Sequence, residues 1–277
     1  IILYPKGRVS DIQEKQLTTN GKNVRAFEVD GSFDDCQKMV KDAFIDKDLK
    51  KTHNLTSANS INVARWLPQS LYYFFTMKKF AELNILNKVV FSVPSGNFGN
   101  ICAGIIASKL GLSIEHFVAS TNSNDTVARF LRNGKYQPNK TIRTLSNAMD
   151  VSDPSNFIRI KKLYENNLKK IKNNFNSFSF NDNETVLALK EIYNDYKYIA
   201  DPHGAVGFLG LKKYLETNSN NFGVFFETAH PIKFRKTVES NLDINLKYPS
   251  QIKRILNKKK RKESIKSYEE LKEAIMF

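Results

Sequence analysis

The chain has 277 residues, long enough to bury a substantial core and to form one large domain or two smaller ones. With 41% hydrophobic residues and 20 phenylalanines it is not a disordered chain; its two cysteines, Cys36 and Cys102, lack CxxC spacing, which excludes a disulfide framework and a zinc site and points to a reducing, cytoplasmic setting. The net charge of +15 invites a nucleic-acid reading, but the lysines are scattered and accompany many Asn, Ile and Phe, the residues an AT-rich coding sequence favours, so no nucleic-acid partner is expected.

Ile1-Ile2-Leu3-Tyr4 reads as the inside of a strand without an initiator Met, as in a chain that begins partway through a protein. Asp11 to Leu17 reads as a short helix, Val24 to Val29 as a strand ended by Asp30-Gly31, and Phe33 to Ala43 as an amphipathic helix. Asp46 to Ser57 reads as polar loop. A helix is predicted from about Ser60 to Phe80, with a kink at Pro68. Val89 to Val93 is a short buried strand, Ile101 to Leu110 a helix closed by Gly111, and Ile114 to Ala119 the next strand. The pattern weakens from Asn122 to Pro154, with short strands possible near Thr141 to Leu145. Asp153-Pro154 opens a helix reaching about Leu168, and Asn173 to Asn183 reads as loop. Helices follow over Glu184 to Tyr196 and Pro202 to Leu215, then a buried strand over Phe222 to Phe226 and helices over Lys233 to Val238 and Ser267 to Ile275. The basic run Lys258 to Lys262 is expected in solvent. Alternating strands and helices define an α/β protein with mainly parallel sheets covered on both faces. No run is long enough to span a membrane, and the four histidines show no metal-ligand spacing.

Four stretches carry chemistry. In Val93-Pro94-Ser95-Gly96-Asn97-Phe98-Gly99-Asn100, Pro94 ends a strand and two glycines lead into a helix, an arrangement that presents backbone N–H groups and a helix N-terminus to a phosphate. The spacing is neither the nucleoside-triphosphate loop nor the dinucleotide fingerprint, and it suits a cofactor with one terminal phosphate; an ordinary strand–helix turn is the competing reading. In Ala58-Asn59-Ser60-Ile61-Asn62-Val63-Ala64-Arg65, Asn59 or Ser60 serves as a helix cap, or joins Arg65 in binding a phosphate or carboxylate. In Ala200-Asp201-Pro202-His203-Gly204, Asp201 and Pro202 fit an N-cap followed by proline, with His203 a hydrogen-bonded neighbour. In Glu227-Thr228-Ala229-His230-Pro231, Thr228 follows a strand's carboxyl end, where ligands of open α/β sheets gather; a turn hydroxyl satisfying local backbone is the competing reading.

Together with Tyr4-Pro5-Lys6-Gly7-Arg8-Val9-Ser10 and Lys233-Phe234, these stretches occur in the order found in threonine synthases, a pyridoxal-phosphate family of fold type II, which the chain resembles from its first residues to about residue 240. The resemblance implies conversion of O-phosphohomoserine and water to L-threonine and phosphate, the last step of threonine biosynthesis, with pyridoxal 5'-phosphate as electron sink. It implies that Gly96, Asn97, Phe98 and Asn100 hold the cofactor phosphate, chiefly through backbone N–H groups, although many relatives carry Asp where Asn100 stands. It implies that Thr228 hydrogen-bonds the pyridine nitrogen and leaves it unprotonated, and that Asn59, Ser60 and Arg65 bind the substrate phosphate. The family's Schiff-base lysine lies in a Phe-Lys-Asp segment upstream of the Tyr-Pro-Lys-Gly stretch and has no counterpart in these 277 residues. No catalytic residue is therefore assigned, and the chain alone is expected to be inactive.

The reading is thus a C-terminal portion of the fold-type II architecture without its N-terminal part. Residues 1–60 are expected to finish the N-terminal region and begin the cofactor-binding fold, 61–240 to form the α/β cofactor and substrate core, and 241–277 a basic helical segment. The expected partner is the small substrate, with no metal, membrane or nucleic acid, in a monomer or homodimer. Rival readings are a phospho-lyase giving 2-oxobutyrate from the same substrate, a non-catalytic cofactor- or phosphate-binding pseudoenzyme, and a basic nucleic-acid binder.

Overall fold

In the computed structural model, which describes residues 1–85 and 88–276, strand β1 (Ile2–Pro5) is followed by helix α1 (Asp11–Thr18). The Ser10 hydroxyl accepts from the Gln13 N–H and the Gln13 side chain accepts from the Ser10 N–H, a reciprocal cap that satisfies two otherwise unpaired donors. Strand β2 (Ala26–Val29) leads into α2 (Phe33–Ile45), which Ser32 and Asp35 cap in the same way. The expected loop after it instead holds α3 (Lys47–Thr52). The Asp46 carboxylate accepts from the N–H groups of Asp48 and Leu49, and the fully buried Leu49 anchors the turn.

The next helix begins later than predicted. Asn59 Oδ1 accepts from the Ile61 N–H and Asn62 Oδ1 from the Ala64 N–H, a 3₁₀ turn occupies Val63–Arg65, and α4 spans Trp66–Glu82. Pro68 therefore falls in the first helical turn, where a missing N–H breaks no intrahelical bond, and the cause of the expected kink is removed. Then follow β3 (Val89–Pro94), α5 (Gly99–Lys109), β4 (His116–Thr121), α6 (Thr126–Asn133), α7 (Phe157–Leu163), α8 (Leu168–Asn174), β5 (Phe175–Ser179), α9 (Asp182–Tyr196), α10 (Pro202–Leu215) and β6 (Phe222–Phe225). Helix α6 and strand β5 occupy stretches in which no such element is expected, and no strand forms over Thr141 to Leu145. The single helix expected to reach Leu168 is broken at Glu165 and Asn166, both with positive φ.

Residues 57–230 make one compact unit around a parallel sheet in the order β5–β4–β3–β6. Alternate residues of its central strands serve opposite faces. Phe91, Val93, Phe117 and Ala119 pack with Tyr73 of α4 and Ile101 and Ile105 of α5, whereas Val90 and Val118 pack with Leu211 and Tyr214 of α10. Both faces of the sheet are covered, as a parallel sheet requires. Strand β6, expected to be buried, is an edge strand with one neighbour; Phe222 is 38% exposed and the rest half-buried.

A second unit joins residues 1–56 to 231–277. After a 3₁₀ turn at Pro231–Phe234 come α11 (Arg235–Leu242), α12 (Ser250–Leu256), β7 (Glu263–Ile265) and α13 (Tyr268–Met276). Strand β7 lies parallel to β2 and completes the sheet β1–β2–β7, so the C-terminal segment shares a core with the N-terminal one. The compact units thus divide the chain at 56/57 and 230/231, where the sequence reading placed boundaries at 60 and 240. The basic run is not simply solvated. Lys260 pairs with Asp11 (2.7 Å) and Glu14 (2.5 Å), and Lys262 with Glu14 (2.7 Å) and the buried Glu28 (2.6 Å). Partial burial raises the Glu14 pKa, but the two lysines outweigh it and bring the carboxyl down to about 2.

Candidate active site

The Ser95 N–H donates to the Ser120 carbonyl at 2.8 Å, carrying the β3–β4 pairing one residue past Pro94 before the chain turns into the glycine loop. Phe98 holds the turn in the left-handed region (φ +60°, ψ 17°), strained for a side chain with a Cβ. Its ring is buried, 5.8 Å from Phe157 and 6.4 Å from Phe175, which anchors the strained residue in the core. Helix α5 then starts with no side-chain cap, so its first N–H groups are left to the loop's concave side. The loop is packed to contact: a Cβ on Gly96 would lie 2.7 Å from Met149 Cα, and one on Gly99 would lie 2.6 Å from Ser60 Cβ.

The structure brings all eight residues singled out in the sequence into one cavity of about 810 Å³: Asn59, Ser60 and Arg65, then Gly96, Asn97, Phe98 and Asn100, then Thr228 after β6. Arg65 and Thr228 are exposed, and Arg65 forms no ion pair among the described residues. Asn97 is spent on architecture. Its Nδ2 donates to Ser60 Oγ (2.9 Å), and its Oδ1 accepts from the Ser155 N–H (2.7 Å) and hydroxyl (2.9 Å). Asn100 Oδ1 accepts from the hydroxyl of the fully buried Tyr73 at 2.8 Å. The loop's offer to an anion is therefore mainly its backbone N–H groups, as expected of such a cradle.

Sequence reasoning missed Glu227, which lines the cavity beside Thr228. Its Oε1 accepts the Asp201 N–H at 2.9 Å. Burial, reinforced by the Asp201 carboxylate, raises Glu227 to about 9, while burial of Asp201 is outweighed by hydrogen bonding to His203 and that carboxyl is lowered. His203 is the expected neighbour: its N–H and Nδ1 meet Asp201 Oδ1 at 2.8 and 2.5 Å, and its Nε2 accepts from the Ala148 N–H at 3.2 Å. None of the lining residues is a lysine. Among the described residues no group of three His, Cys, Asp or Glu side chains could hold a metal, and no helix is long and apolar enough to cross a membrane.

A parallel α/β sheet whose strand ends open on an uncapped helix start, a packed glycine loop, a free arginine and a threonine turn defines a protein built to hold a phosphorylated small molecule. The chain belongs to the pyridoxal-phosphate dependent enzyme family, whose profile matches residues 1–222; the profile described as threonine synthase, C-terminal, matches residues 204–275. A threonine synthase of Buchnera aphidicola is 47% identical over 255 residues, covering 91% of this chain and 58% of its own length. The crystal structure of threonine synthase from Escherichia coli superposes with a TM-score of 0.92 at 40% identity, over 99% of this chain and 63% of that one. The pyridoxal-phosphate-bound threonine synthase from Brucella melitensis gives 0.84 at 30% identity, over 99% and 64%. The chain thus spans between 55% and 60% of the length of curated threonine synthases that it matches.

The residues present fit the family's cofactor. A terminal phosphate needs unspent backbone donors, and the start of α5, which has no side-chain cap and opens on the cavity at Gly99 and Asn100, offers them.

Proposed function

We propose that this chain carries the cofactor cradle and substrate-phosphate site of a threonine synthase, which converts O-phosphohomoserine and water to L-threonine and phosphate. The observation that carries this reading is the convergence of three separated stretches, 59–65, 96–100 and 228, on one cavity in a chain 47% identical to a threonine synthase.

In this reading the backbone N–H groups of Gly96, Asn97, Phe98 and Asn100 hold the cofactor phosphate, with the α5 N-terminus adding favourable potential. The Thr228 hydroxyl meets the pyridine nitrogen, and because a hydroxyl has little acidity it supplies a hydrogen bond rather than a proton. When bound, pyridoxal phosphate supplies the electron sink that lets phosphate leave the substrate's γ-carbon and water add at the β-carbon. Arg65 binds the substrate phosphate as a charged fork, with Asn59 and Ser60 completing the pocket. This chain by itself does not complete turnover, since none of the cavity-lining residues is a lysine. The two unpaired, buried cysteines support a cytoplasmic setting, and the ion pairs that occupy Lys260 and Lys262 argue against a nucleic-acid role.

The test is titration of the isolated chain with pyridoxal phosphate, read by the cofactor's fluorescence, followed by addition of O-phosphohomoserine. Saturable cofactor binding that T228A and G96A weaken, with no phosphate released, is expected. Release of phosphate with threonine would overturn the claim of incompleteness; 2-oxobutyrate as product would replace the reaction with the phospho-lyase; failure to bind cofactor would overturn the reading.

A further inference from the structure

Two residues just outside the cavity lining join its two anion-binding loops. Asn156, fully buried at the start of α7, donates from Nδ2 to Ser60 Oγ (3.0 Å) and to the Asn97 carbonyl (2.9 Å). Its Oδ1 accepts from Arg159 at 2.7 Å. The Arg159 guanidinium reaches on to the main-chain carbonyls of Ser60 (2.8 Å) and Ile61 (2.6 Å), and its Cζ lies over the Trp66 ring, 5.1 Å from the centroid. Five hydrogen bonds thus tie the turn at 59–61, the loop at 97 and the start of α7 to one another.

We infer that Arg159, oriented by Asn156, is a positioning residue that sets the distance between the two phosphate-binding loops; the inference rests on the reading of both loops as phosphate sites. Spacing is defined in both directions. Ser60 Cβ lies 2.6 Å from where a Gly99 Cβ would stand, so the loops already touch and resist closing further, and the guanidinium bracket stops them from parting. Only a planar fork spans two successive carbonyls while also meeting the Asn156 amide; an ammonium on a flexible stem cannot hold all three in place. Arg159 forms no ion pair among the described residues and its hydrogen-bond acceptors are neutral. Its charge is therefore not cancelled locally, and it favours an anion in the neighbouring cavity without touching it.

The experiment compares wild type, R159K and R159A as the full chain. The readouts are calorimetric binding of inorganic phosphate, fluorescence titration with pyridoxal phosphate, and hydrogen exchange over residues 58–62 and 95–100. In R159K, phosphate binding is expected to weaken about tenfold and exchange to rise in both loops together, because charge is kept but the fork is lost. Adding methylguanidinium to R159A should restore protection in both loops. Should R159A fail to fold, R159K decides alone. Unchanged exchange in both loops of R159K overturns the inference, as does a rise confined to one of them. Should wild type bind neither phosphate nor cofactor, the phosphate reading falls and this inference falls with it; if wild type binds and R159K binds equally well with both loops protected, only the positioning role falls.

Discussion

Glu227 Oε1 accepts the Asp201 N–H at 2.9 Å beside the cavity, which brings the two carboxyl groups close together. Asp201 Oδ2 and Glu227 Oε2 are buried without a hydrogen-bond partner among the described residues. Burial, reinforced by the Asp201 charge, raises Glu227 to about 9, so its carboxyl is neutral at pH 7. The arrangement places a neutral acid next to Thr228, between the start of α10 and the turn that follows β6.

The first prediction follows by linkage. The folded-state pKa of Glu227 lies above its ordinary value of 4.5, so its contribution to stability is fully present below pH 4.5 and is lost as pH rises toward 9. The melting temperature of wild type should fall across that window, and the E227Q chain, which keeps the neutral form, should show a flatter profile. Parallel profiles for the two proteins would refute the raised Glu227 pKa.

Glycines with different surroundings should respond differently to alanine. A Cβ at Gly96 meets backbone at 2.7 Å, a clash that no side-chain rotation relieves, so G96A should cost about 1–3 kcal/mol and weaken cofactor binding. Gly111 has φ +105° and open space around it, so G111A should cost about 1 kcal/mol from backbone strain alone and leave cofactor binding intact. Denaturant melts with and without pyridoxal phosphate separate the two.

Arg65 is exposed and forms no ion pair among the described residues, so R65A should change stability by less than about 0.5 kcal/mol. Binding of inorganic phosphate should nonetheless weaken by about tenfold or more, with a smaller salt dependence than in wild type. Calorimetry at two salt concentrations checks this; equal affinity in R65A would remove the residue from the site.

Lys262 bridges Glu14 and Glu28. K262A should lower the melting temperature at pH 7, because it strands the buried Glu28 carboxylate. Glu14 is held down to about 2, so the stability it lends is present above pH 4.5 and lost as pH falls toward 2. The gap between K262A and wild type should therefore narrow in acid, which thermal melts from pH 7 to pH 3 would show.

Local signals were the legible ones. The strand, glycine loop and helix over 89–109, the Asp201-Pro202 start of α10 and the helices begun at Asp11 and Phe33 follow from caps, proline placement and apolar patterns within a few residues. The eight cavity residues could be singled out because their motifs are contiguous. Strand β5 could not be seen in Phe175-Asn176-Ser177-Phe178-Ser179, because what makes it a strand is its pairing with β4. The partial exposure of β6 depends on sheet order, which no window of sequence contains.

The sequence alone determined the alternation that makes an α/β protein and the chemistry of its loops, since both are written in neighbouring residues. Only the tertiary structure decided which side chains act together. Arg159 meets Ser60 across 99 positions, Lys260 meets Glu14 across 246, and burial beside Asp201, 26 positions away, raises the Glu227 pKa. Each of these depends on burial and on charge at a distance of a few ångströms, quantities that exist only once the chain has folded.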